Sequence, residues 1–244
     1  MYDSKDKMTL PPQQDTKPSV FHARWILLAP QLIATLIVLA FVPGNANKLI
    51  LFVVIWVFTF QRLSLRELLC YVGVCALFSI MNIMATRQGV FQFLHPDLAG
   101  LPVWEYFTWG FYVLHILRML GGPKPSSRFW VVLSLAILFA LPFSTVSDPF
   151  LLLATSGFGV ALALIFFHDH WDLSYVAYTL LVGAAIEYAG VWSGQWYYPG
   201  NPSGGVAFWF VTMWGGIGLF IRRLVLPLVA AAPRRLDQNS DISR

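Results

Sequence analysis

Apolar and polar positions alternate along the chain in long greasy runs separated by short polar joints. A helix crosses a bilayer with about 17–25 mostly apolar residues. Seven runs meet or nearly meet that length: Trp25–Val42, Leu68–Thr86, Leu101–Leu120, Phe129–Val146, Pro149–Phe167, Leu173–Val191 and Val206–Ile221. An eighth, Leu49–Phe60, is short and reaches span length only if it starts near Pro43. The pattern predicts an all-α integral membrane protein with eight transmembrane helices.

Charge decides whether the short run counts. With eight spans and both termini cytoplasmic, the inner side holds Lys5, Lys7, Lys17, Arg24, Arg62, Arg66, Arg118, Lys124, Arg128, Arg222, Arg223, Arg234, Arg235 and Arg244. Only Lys48 and Arg87 fall outside, so 14 of the 16 basic residues are inside. Positive residues favour the cytoplasmic side during insertion. Dropping the short span would invert every later segment. This orientation, with the inner (plasma) membrane as its expected place, leaves residues 1–23 as a polar cytoplasmic tail and 226–244 as another. The first tail, with Pro11, Pro12, Asp15 and Pro18, does not read as a cleaved signal.

Sliding the chain against itself by 105 residues, without a gap, aligns Trp25 with Trp130, Trp104 with Trp209 and Trp109 with Trp214. Chance gives about 0.2 Trp pairs at such an offset. Gly89/Gly194, Gly100/Gly205, Gly110/Gly215, Leu114/Leu219 and Arg118/Arg223 keep the same register. The expected organisation is a four-helix repeat over 24–120, a cytoplasmic linker over 121–128 and a second repeat over 129–225. Four is even, so both copies enter the membrane in one direction, as a parallel repeat about an axis along the membrane normal.

Composition agrees and excludes alternatives. The 244 residues are 57% hydrophobic, 16% aromatic and only 11% charged, where a soluble domain is about 25% charged. An ordinary cytosolic enzyme, a disordered chain and a disulfide-stapled module are excluded. Cys70 and Cys75, five residues apart in one helical run, face different ways and read as small hydrophobes. The net charge of +4 is spread over the ends of apolar runs, so no nucleic-acid partner is expected.

Ionisable groups inside spans are costly in hydrocarbon and mark functional sites. Glu187 lies near the outer end of its span, and Asn82 stands 105 residues before it. Glu105 lies near the outer start of the fourth span. From it Glu105, Thr108, Tyr112, His115 and Arg118 follow at three- and four-residue steps, one slowly turning stripe. The matching stripe in the other copy, Phe210, Met213, Ile217, Phe220 and Arg223, is apolar until its inner end. Glu187, Glu105 and His115 are the catalytic candidates, and two carboxyls in different surroundings can serve as acid and base. His115 also reads as a packing histidine, and Arg118 as a side chain snorkelling to inner headgroups. Two long outer loops, 87–100 and 193–205, are rich in Gly, Pro and aromatics. They read as an interface belt and as a roof over a shared cavity. Asn82, Trp104, Thr108, Trp109, Tyr112, Trp196, Tyr198, Trp209 and Trp214 are the candidate substrate-binding residues.

The inner loop His168-Asp169-His170-Trp171-Asp172 offers His168, His170 and Asp172 as possible metal ligands. A polar run between two spans is expected there anyway, and no metal is assigned. No phosphate loop, Asp-rich diphosphate motif, His-box, HExxH or nucleophile elbow is present, and no cofactor is expected. The apolar runs, the short one counted from Leu49, carry no lysine, so a retinal Schiff base is not expected.

The run Glu187-Tyr-Ala-Gly190-Val-Trp-Ser-Gly194-Gln-Trp196-Tyr-Tyr198, followed by Gly205, Trp209 and Trp214-Gly215, resembles the Glu…Gly…Gly…Tyr-x-Tyr…Gly pattern of membrane carotenoid-biosynthesis proteins. These are the bacterioruberin-type hydratases and the integral lycopene cyclases. The resemblance spans about forty residues. The Pro-x-Glu-Glu signature of the cyclases is missing, and Ala207 stands where a proline is usual, although Pro102 holds that place in the first copy. The resemblance implies chemistry on an isoprenoid double bond, with Glu187 as acid, Glu105 as base or cation stabiliser, and aromatic faces around the cation. Three functions fit the sequence: a cofactor-free lyase or isomerase on a lipid or isoprenoid, a small-solute transporter, and a non-catalytic assembly factor.

Overall fold

The computed structural model describes residues 25–61, 63–201 and 205–230. Among them 74% are helical. In chain order the elements are α1 (Trp25–Phe41), α2 (Asn45–Phe60), α3 (Leu65–Arg87), β1 (Gln92–Phe93), α4 (Glu105–Leu120), α5 (Phe129–Ala140), α6 (Pro142–Thr145), α7 (Pro149–Phe166), α8 (His170–Trp192), β2 (Trp196–Tyr197) and α9 (Phe210–Phe220). A π-turn over Ile221–Val225 then leads into α10 (Leu226–Ala230). The expected tail over 1–23 and residues 231–244 of the expected tail over 226–244, together with Arg24 and Arg62, lie outside the described residues.

Four helices are long and apolar enough to cross a membrane: Leu65–Arg87, Pro149–Phe166, His170–Trp192 and Phe210–Ala230. Ile26–Phe41, Asn45–Phe60 and Phe129–Thr145 are apolar but shorter. Large apolar side chains such as Phe58, Ile80, Ile165 and Trp192 point outward, a greasy exterior that water would not tolerate over such an extent. The protein is a helical integral membrane protein.

Helix ends follow local chemistry. The Ser64 hydroxyl accepts from Glu67 N while the Glu67 carboxylate accepts from Ser64 N, a capping box that starts α3. Asp169 and Asp172 form the same reciprocal pair at the start of α8. This corrects the expected inner loop: His170 to Asp172 are the first turn of a helix. Asp148 caps α7, with Pro149 at its first helical position. Pro142 cannot continue the ladder of α5, so the helix breaks at Leu141 and resumes for one turn as α6. The last helix runs five residues past the expected boundary at Val225.

Two helices form the centre. In α4 the run Thr108–Arg118 is buried without interruption, as is Trp214–Phe220 in α9. They meet where the Trp109 and Trp214 indoles stack, with ring centroids 5.4 Å apart. Above them the loop after α3 and the loop after α8 join as a two-residue antiparallel ladder, Gln92 opposite Tyr197 and Phe93 opposite Trp196.

The spacing of 105 recurs throughout. Gly89 and Gly194 have φ of 73° and 71°, the left-handed turn that favours glycine. Phe93–Trp104 and Tyr198–Trp209 are edge-to-face pairs at 5.8 and 5.5 Å. Glu67 receives Arg118 at 2.9 Å, and 105 residues on Asp172 receives Arg223 Nε at 2.9 Å.

Candidate functional site

The site is a small cavity under the strand pair, about 50 Å³, walled by α3, α4, α8, α9 and both loops. A single water needs roughly 10–15 Å³, so a few fit. Glu105 and Glu187 both line it, with Asn82, Trp104, Trp109, Tyr112, Trp196, Tyr198, Trp209 and Trp214. Ten of the residues proposed from sequence thus converge. Phe91, Phe93, Ile186 and Met213 complete the wall and were missed, because single apolar side chains in an apolar chain carry no distinguishing signal.

Each carboxyl takes three hydrogen bonds from neutral donors. Glu105 accepts from Asn82 Nδ2 and Trp109 Nε1, both at 2.7 Å, and from the Thr108 hydroxyl at 3.3 Å. Glu187 accepts from Trp196 Nε1 at 3.0 Å, the Tyr198 hydroxyl at 2.5 Å and Trp214 Nε1 at 3.1 Å. Burial, then the neighbouring Glu187 carboxylate, push the Tyr198 phenol well above its ordinary value, so Tyr198 keeps its proton and remains the donor. Among the described residues no Lys, Arg or His lines the cavity. A buried carboxyl is commonly paired with a cation; these two are held by indoles, a phenol, a hydroxyl and an amide.

Thr108 reaches the site only through Glu105. The expected stripe on α4 is buried along its whole length but serves three places. Glu105 and Tyr112 face the cavity. His115, proposed as catalytic, does not: its Nε2 meets the Tyr178 hydroxyl at 2.6 Å and its Nδ1 meets Gln31 Oε1, tying α4 to α1 and α8. Periodicity tells which face is buried, not which neighbour it meets. Arg118 does not snorkel. It bonds Glu67 through Nε and Nη2 at 3.1 and 2.9 Å and the Phe60 carbonyl at 3.1 Å. Lys48, read as an outer-loop cation, lies in the first turn of α2, buried, bonded to Gln195 Oε1 and 6.0 Å from the Trp104 ring centre.

The metal candidates part company. Asp172 is fully buried and held by Arg222 and Arg223. His168 Nδ1 sits 2.8 Å from the Leu164 carbonyl, and His170 is exposed. Among the described residues no three His, Cys, Asp or Glu side chains gather in one place. The arginine–carboxylate clusters were legible in principle, since Ser64-x-x-Glu67 and Asp169-x-x-Asp172 are capping boxes 105 residues apart.

Comparison with family models, curated proteins and solved structures gives no match.

Two further cavities adjoin the first. A groove of about 160 Å³ shares Asn82, Phe91, Trp109, Trp209 and Met213 with it and continues between α3, α5 and α9 to Leu224 and Val225. Apart from Asn82 its lining is apolar. A third, about 300 Å³, lies beside Pro149, Phe150, Gly200 and Asn201. Trp209 borders all three. Trp104, its counterpart at the 105 spacing, is anchored by Asn45 through its indole N–H at 3.1 Å; Phe150 stands where that asparagine would be and offers no acceptor.

Proposed function

We propose that the cavity is the acid–base centre of a multi-pass membrane enzyme acting on the double bond of a lipid or isoprenoid. The single observation that carries this reading is two carboxyls, neither facing a cation, in one aromatic cavity that opens into an apolar groove. Glu187 protonates one alkene carbon and becomes a carboxylate. The positive charge on the other carbon is stabilised by indole and phenol faces. A water from the cavity captures it, giving up its proton to Glu105, which completes a hydration. Loss of a neighbouring C–H proton to Glu105 would instead complete an isomerisation or, after attack by an internal alkene, a cyclisation. In each route the proton returns from Glu105 to Glu187 through cavity water.

This reading includes eight spans in two parallel four-helix repeats with both termini cytoplasmic, so that the loop end of the bundle faces outward. The paired φ values, ring contacts and arginine–carboxylate contacts 105 residues apart support it, as does the positive-inside count. It is also the reading of the resemblance to carotenoid-biosynthesis proteins.

The test is mass spectrometry of lipid extracts from cells lacking the gene, complemented with wild type or Glu187→Gln. The expected result is a species that accumulates on deletion and is consumed only with wild type. Identical extracts would overturn the enzyme reading and leave solute transport, tested by uptake, as the next candidate.

A further inference from the structure

The wall of the apolar groove is not reproduced by the residues 105 positions away. At the 105 spacing, Ala136 and Phe220 of its wall correspond to Gln31 and His115, and the nearby Gly73 corresponds to Tyr178. On one flank His115 bonds Gln31 through one ring nitrogen and Tyr178 through the other, and the three side chains bridge α1, α4 and α8. On the other, a Cβ built on Gly73 meets nothing within 4 Å, and the groove remains, bordered by the outward-facing Leu77.

We propose that this groove seats the hydrocarbon chain of the substrate, one chain per protein. The chain enters sideways past Leu77 and lies with its reactive end under Trp209 and its remainder running toward Leu224 and Val225. The proposal rests on the two-carboxyl cavity being the reaction centre. Continuity commits the occupant to the substrate: five residues line both spaces, so a chain in the groove delivers one end to the carboxyls. Dimensions agree. The α3 wall from Val74 to Ala85 covers about 16 Å at 1.5 Å per residue, roughly half the ~30 Å hydrocarbon core. A long chain fits in one direction only, because the carboxyl cavity closes one end.

The probe is a long-chain alkanol carrying a photoactivatable diazirine at mid-chain, applied to the detergent-solubilised full chain, with adducts mapped by peptide mass spectrometry. The expected result is saturable labelling near one adduct per chain, on Val74, Leu77, Leu224 or Val225 and not on the α1–α8 flank. Ala136→Trp should lower it at least about tenfold, the effect of about 1.4 kcal/mol of lost binding. Unsaturable labelling over all outward faces, or equal labelling of both flanks, would overturn the proposal. Glu187→Gln keeps the groove and should label like wild type while losing turnover. Groove labelling without any wild-type turnover therefore counts against the reaction centre alone, and turnover without groove labelling against the chain site alone.

Discussion

The two flanks of the Trp109–Trp214 stack are built from residues 105 apart, and they have taken opposite roles. On the filled flank Gly183 lets the Trp214 ring lie where a Cβ would come within 2.2 Å of it, and Gly218 sits against Thr179 and the Tyr175 carbonyl. On the open flank Phe78 and Val113 occupy the matching positions, and Phe78 stacks on Trp109 at 4.1 Å. The filled flank spends its polar groups on a buried network; the open flank keeps Asn82 on Glu105 and is otherwise greasy. Positions 105 residues apart thus form a filled seam on one flank and a groove on the other, through a handful of side-chain differences. The carboxyls follow the same asymmetry, since Glu187 belongs to α8 and Asn82 stands at its place in α3.

The comparison breaks most visibly at that exchange. Glu187→Gln should cut turnover by about 10²–10⁴, the usual worth of a general acid, whereas Asn82→Ala should cost far less. Product formation in membranes reads both, and equal losses would remove the functional asymmetry. Next in size is Gly218→Val, which writes the open flank's Val113 into the filled one. A Cβ there meets Thr179 Oγ1 at 2.0 Å and the Tyr175 carbonyl oxygen at 2.6 Å. Such overpacking costs about 1–3 kcal/mol, seen as a lower Tm in detergent. His115→Phe, copying Phe220, strips Gln31 and Tyr178 of a partner and should cost about 1–3 kcal/mol by the same assay. Gly73→Ala, on the open flank, relieves a glycine within a helix at a site with free space, and should raise stability by about 0.5–1 kcal/mol.

The smallest effect is set by acid. Partial burial pushes the Asp169 carboxyl up, but hydrogen bonds from the Asp172 and Trp171 N–H groups and Arg222 outweigh it and hold it below its ordinary value of 3.8. A depressed carboxyl stabilises the fold above the unfolded value and loses that contribution as pH falls through the folded one. Unfolding followed downward from about pH 4 should therefore be less acid-sensitive in Asp169→Asn.

Much of the candidate site was legible from the chain. Tryptophan is rare enough that three coincident pairs reveal the offset, and buried glutamates stand out against an apolar background. His115 and Arg118 were misplaced because a helical stripe turns slowly: residues a full turn apart meet different neighbours, and only tertiary packing decides which. The ion pairs were legible only through two capping boxes whose letters differ. The exchange of Ser64 for Asp169 and of Glu67 for Asp172 preserves the chemistry while changing the letters.

The donors around the two carboxyls divide by sequence. Asn82, Thr108 and Trp109 hold Glu105; Trp196, Tyr198 and Trp214 hold Glu187. Neither set borrows from the other half of the chain. During biogenesis the first half can partition into the bilayer with its acid already solvated by its own side chains, before the ribosome has made the second. Assembly then brings two indoles face to face, zips a ladder of two residues across the loops, and joins His115 to Tyr178 and Lys48 to Gln195. A protein whose two-carboxyl cavity straddles two halves can in this way insert each acid with its own donors, while buried Lys48 of the first half gains its Gln195 partner only when the second arrives.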